Sequence, residues 1–149
     1  MDVKEFRKLI ASGKFSEPTA GYCRGNLQAN MLVIPSEYAD SFEKFAKQNA
    51  KAIPILEIIK GSHYSQYLAN GANLLNELPS YNVIKEGEIV ETVDNIEKYY
   101  THDLVFFLIG CSFTFETPLI KNGIKLRHVD LDLNVSMYNT NIELKPVDM

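Results

Sequence analysis

The chain has 149 residues, 46% of them hydrophobic, which is the size of one ordinary domain with enough apolar material for a real core and excludes a disordered polypeptide. A net charge of −4, with no compensating Lys/Arg cluster, excludes a nucleic-acid partner, because phosphate binding needs a basic surface that releases counterions. The two cysteines, Cys23 and Cys111, form no CxxC pair, and His63, His102 and His128 lie far apart without HExxH spacing, so no metal site is expected.

The charged start MDVKEFRKLI lacks the apolar run of a signal peptide, and LVFFLIG is too short to span a bilayer. A cytoplasmic protein without a membrane partner is expected. No repeat, low-complexity tract or linker marks a boundary, so residues 1–149 read as a single domain.

In chain order, Val3, Phe6, Leu9 and Ile10 have helical spacing, and Gly13 stands where a left-handed cap would end that helix. EPTAGYCRGNLQAN has the composition of an ordered loop, and it feeds MLVIP, a short strand ending at Pro35. Ser36 is expected to cap a helix with Tyr38, Phe42, Phe45 and Ala46 on its apolar stripe. IPILEII, Ile53 to Ile59, reads as a second strand. Gly61 to Leu78 is weakly patterned, a loop with some helix. YNVIK and EIVET flank Glu86-Gly87 as a hairpin, and Asp94 is expected to cap a short helix through Tyr99. LVFFLIG fits a buried strand or a helix; the apolar face continued by SFTFE favours the helix. IKLRHVDL and NVSMYNTNI read as strands. The irregular alternation predicts a mixed α/β (α+β) fold, one layered domain with a mixed sheet and flanking helices.

Three segments carry candidate chemistry. GCSFTFE sets the Cys111 thiol, hydroxyls including Ser112, and the Glu116 carboxylate beside Phe113 and Phe115; a carboxylate in apolar surroundings suits acid–base work. The commoner role of such a stretch is structural: the phenylalanines are core, Ser112 is a helix cap and Glu116 is a solvated first-turn residue. RHVDLD, as a strand, would put His128 on one face with Asp130 and Asp132, a base oriented by carboxylates or an exposed edge. PTAGYCRGNLQAN offers Thr19, Arg24, Asn26, Gln28, Asn30 and the backbone at Gly21 and Gly25 as donors for a carboxylate or amide, without the GK[ST] of a phosphate loop. YNTN adds Tyr138, Asn139 and Asn141, and the two donor-rich segments are expected to converge on one pocket.

PTAGYCRGNLQANMLVIP, FAKQNAKAIPILE, ELPSYNV, LVFFLIGCSFTFE, GIKLRHVD and NVSMYNTNI, in this order and spacing, closely resemble the signature blocks of the hydro-lyase / D-glutamate cyclase family over nearly the whole chain. The resemblance implies a cofactor-independent carbon–oxygen lyase that dehydrates a small amino acid such as D-glutamate to 5-oxo-D-proline. In that reading Glu116 and His128 handle protons, while Thr19, Gly21, Gly25, Gln28, Asn30, Ser112, Tyr138 and Asn141 hold a small carboxylate or amino-acid ligand. The chain departs from the family pattern at Ala11, Leu75, Ser80, Asn82 and Asn139, where basic residues are common, and the family's chain continues beyond the equivalent of Pro146. Those departures imply a rival reading: a non-catalytic member that binds a small carboxylate or a partner subunit, as a homo-oligomer or with a complementing chain.

Overall fold

The structure, a computed structural model, describes residues 1–133 and 139–147. The elements run α1 (Val3–Ala11), β1 (Ala29–Pro35), α2 (Ser36–Gln48), β2 (Ile55–Lys60), β3 (Tyr81–Lys85), β4 (Glu88–Val93), a 3-10 turn (Glu97–Tyr99), β5 (Leu104–Gly110), α3 (Phe113–Lys121) and α4 (Arg127–Asp130). The α+β class is as expected; the strands form two antiparallel sheets, β1-β5-β2 and β3-β4, where a mixed sheet was expected. No helix among the described residues is long and apolar enough to cross a membrane.

LVFFLIG is β5, the central strand, and not a helix. Both of its faces are covered, which explains the continuous apolar run: a strand with one wet face would alternate. Phe106 and Leu108 enter a core with Ile59, Leu74, Leu75, Tyr81 and Ile96, while Val105 and Phe107 meet Ala39 of α2 together with Leu32, Ile34 and Phe42. Phe106 and Phe107 are both 0% exposed, so each contributes about 2–3 kcal/mol of burial. The Phe42 ring meets Phe107 edge-on at 4.8 Å.

α2 follows β1 directly and folds back over the sheet. Its buried stripe is built on Ala39 and Ala46, whereas Tyr38, expected on that stripe, is exposed. Ser36 is the helix's first residue and not its cap; Pro35 holds the cap position and makes no side-chain bond. At the other end of α2, Asn49 is buried and binds the chain's far end: its Nδ2 donates to the Lys145 carbonyl at 3.0 Å and its Oδ1 accepts the Lys145 N–H at 2.8 Å.

The segment from 61 to 78 contains no helix. It is organised around Glu57 of β2, a buried carboxylate that accepts from Ser65 Oγ at 2.8 Å and from the backbone N–H groups of Gln66, Tyr67 and Leu68 at 2.7, 3.2 and 3.2 Å. Burial pushes this carboxyl up, but the four donors together outweigh it and hold Glu57 below its ordinary value. α1 is tied to the same segment, since Arg7 donates to the Ala69 carbonyl and pairs with Glu77 at 3.4 Å.

The hairpin turns at Glu86 and Gly87 as expected, both with positive φ (52° and 83°), which matches a tight turn between right-twisted strands. α1 is closed by Gly13 as expected, with Gly13 N–H on the Ile10 carbonyl and Lys14 N–H on the Leu9 carbonyl. The turn after β4 is a 3-10 turn whose first N–H, that of Glu97, is satisfied by Asn95 and not by Asp94.

Candidate active site

β1 and β5 pair from Ala29 opposite Gly110 to Pro35 opposite Leu104, so the loop that enters β1 and the helix that leaves β5 meet at one end of the sheet. Gly110 makes the exit possible: a Cβ there would lie 3.0 Å from Pro54 Cγ, and its N–H donates to the Pro54 carbonyl at 2.8 Å. Two residues later Ser112 opens α3. It is exposed and makes no side-chain cap bond.

Thr114, in the first turn of α3, fastens the entering loop. Its Oγ accepts the Gln28 N–H at 3.2 Å and donates to the Gln28 carbonyl at 3.4 Å, while Thr19 Oγ donates to Gln28 Oε1 at 3.2 Å. Thr19 and Gln28 are thus drawn to the helix that carries Glu116. Sequence reading missed Thr114, because its partner lies 86 positions away and only the hydroxyl among GCSFTFE hinted at it.

His128 is the one buried residue of α4 and places Nε2 2.9 Å from Glu116 Oε1. The two expected proton-handling residues are therefore brought together, by the turn that leads from α3 into α4. They do not meet by the expected route. RHVDL is helical, with Asp130 N–H on the Leu126 carbonyl and Leu131 N–H on the Arg127 carbonyl, so His128 shares no strand face with Asp130 and Asp132. Both aspartates are exposed. A period-two pattern over so short a run lost to the local helical bonds once burying His128 against Glu116 fixed the turn.

The Glu116–His128 separation is that of an ion pair, but Oε1 is buried and, among the described residues, receives no well-aligned hydrogen bond. It keeps acceptor capacity. Glu116 is largely covered, with its side chain 21% exposed, so the solvated first-turn alternative does not hold. Phe115 is 66% exposed and so not core.

Gly21 and Gly25 sit at positive φ (81° and 87°) in exposed turns with open space around them. Asn30 is exposed on β1 opposite Ile109. Asn139 and Asn141 are exposed, in irregular backbone where a strand was expected, and among the described residues no hydrogen bond joins them to the Gly21 to Asn30 loop. Tyr138 lies outside the described residues, as does most of NVSMYNTNI. A hollow of about 300 Å³ opens elsewhere, lined by Lys44, Gln48, Pro146 and Val147.

The model of the D-glutamate cyclase family matches residues 105–149. Over 98% of its length the chain is 41% identical to a Psychrobacter arcticus protein named "Putative hydro-lyase", and 42% identical to "Putative hydro-lyase YcsI" of Bacillus subtilis. A Cupriavidus pinatubonensis relative with a hydro-lyase name is 44% identical over 94% of the chain. Over nearly its whole length the chain is similar to proteins with this hydro-lyase name. It spans about half the length of these curated relatives: 56%, 57% and 52% of them respectively. The part that matches the family model takes in β5, α3 and α4, and with them the Glu116–His128 pair.

Proposed function

We propose that this chain carries the proton-transfer part of a carbon–oxygen lyase of the D-glutamate cyclase type, which converts D-glutamate to 5-oxo-D-proline and water. The observation that carries the reading is the buried His128 Nε2 at 2.9 Å from a Glu116 oxygen that still has room to accept. In the cyclisation, the amine nitrogen forms a bond to the side-chain carboxyl carbon and one C–O bond of that carboxyl breaks. The two protons that leave the ammonium nitrogen depart on the expelled oxygen as water. No net proton is consumed and no oxidation state changes, so one acid–base pair that carries protons from nitrogen to oxygen suffices, without a cofactor.

Glu116 and His128 fill that role. Gln28 and Thr19, fastened to the same helix through Thr114, are the side chains we assign to the substrate's carboxylates, with Gly21, Gly25, Asn30, Ser112, Tyr138 and Asn141 as the remaining donors of the proposed set. Donors aimed at the developing tetrahedral oxyanion would provide the larger share of the acceleration.

Incubating the chain with D-glutamate and following 5-oxo-D-proline by NMR tests this. Glu116→Gln and His128→Asn are each expected to lower turnover by roughly 100-fold or more, the usual yield of a general acid or base. Unchanged turnover in both variants removes the pair from the mechanism. The span of about half the relatives' length favours one second reading, a member that binds the small carboxylate without turning it over. A thermal shift with D-glutamate and no product by NMR would select it.

A further inference from the structure

We propose that the α3–α4 face is a protein interface, and that its occupant is the polypeptide making up the unmatched part of the longer relatives. Five of the nine residues of α3 are apolar (Phe113, Phe115, Pro118, Leu119 and Ile120), yet none is buried. A helix of that composition is normally a core helix. Phe115 is 66% exposed, and the segment that follows exposes Val129, Leu131 and Leu133 at 50%, 57% and 56%. Two polar tethers, Thr114 to Gln28 and Glu116 to His128, hold α3 and α4 in place while Phe115, Pro118, Ile120 and Val129 stay exposed and Phe113 and Leu119 are only half-buried. The unit is thus ordered without a core of its own, which marks a surface made to be covered.

The relatives indicate what covers it. They are 41–44% identical to this chain but carry nearly as much polypeptide again, since the chain spans only 52–57% of them. The family model's match at 105–149 contains the whole apolar unit, so the unit is part of what defines the family and is continuous with the matched region's far end. A folded polypeptide with its own apolar stripe fits a face distributed over α3, α4 and the residues after them. The inference does not depend on whether Glu116 and His128 move protons.

Backbone hydrogen exchange decides the matter. Amides 113–133 of the full chain are compared with the matching segment of the intact Bacillus subtilis relative, which already contains the proposed occupant. Exchange at least tenfold slower in the relative is expected; equal rates would overturn the proposal. Sedimentation of this chain alone, beside Phe115→Glu, tests the other occupant. A dimer that the substitution dissociates would assign the face to a second copy and overturn the proposal as stated. A species whose mass is the same for both proteins supports it.

Discussion

Glu57 shows how one carboxylate can organise a long irregular segment. Its two oxygens satisfy four donors from residues 65–68, so the loop has a fixed course without a helix or strand of its own. Glu57→Gln turns one acceptor into a donor that faces other donors. It is expected to cost about 2–3 kcal/mol, read as a lowered urea midpoint, because bonds to a charged group are worth more than neutral ones. The carboxyl is held below its ordinary value of 4.5 in the folded state, so its contribution is complete above that pH and is lost as pH falls through the lower folded value. Denaturation curves from pH 7 down to pH 3 are expected to show this loss in the native chain and less of it in the variant. Glu116 was legible in the sequence as a carboxylate in apolar company and His128 as an imidazole beside carboxylates. Their pairing was not, because it depends on the turn between α3 and α4, and local spacing carries no trace of that.

Elements were legible where length, composition or a turn residue decided between strand and helix. MLVIP is a short apolar run stopped by Pro35, IPILEII is short and β-branched, the Ser36 helix carries an apolar stripe and the hairpin has Glu86-Gly87, and all four are present. β5 was misread because burial on both sides erases alternation, and RHVDL because four alternating residues are too few to resist local helical bonds. The loop at 61–78 gave no periodic signal, since its order comes from one side chain outside it. A similar clamp holds residue 145, where Asn49 bonds both the N–H and the carbonyl of Lys145. Asn49→Ala is expected to release this segment from α2. The Lys145 amide should then exchange roughly fivefold to tenfold faster, the equivalent of about 1 kcal/mol, while amides in β5 keep their rates; an unaltered Lys145 rate would show that other contacts hold the segment.

For the molecule as a whole, the sheet and its two cores form one well-packed body, and the apolar surface of α3 and α4 stands apart from it. An apolar dye should report that division. Anilinonaphthalene sulfonate is expected to fluoresce strongly with the folded chain, and Phe115→Glu is expected to lower the signal measurably without altering the circular dichroism spectrum. Ile84→Glu, on the hairpin and 60% exposed, serves as the control and should leave most of the signal. A native chain that gives no dye response would contradict the exposure of this face.

The strand order β1-β5-β2 has a consequence for how the chain is made. The middle strand is the last of the three to leave the ribosome, so β1 and β2 emerge with no partner between them and must wait while the hairpin and both long loops are translated. The sheet then closes in one late step, by insertion and not by growth from an edge. Nascent chains that have not reached Gly110 therefore present two unpaired apolar strands, the form of polypeptide on which chaperones act.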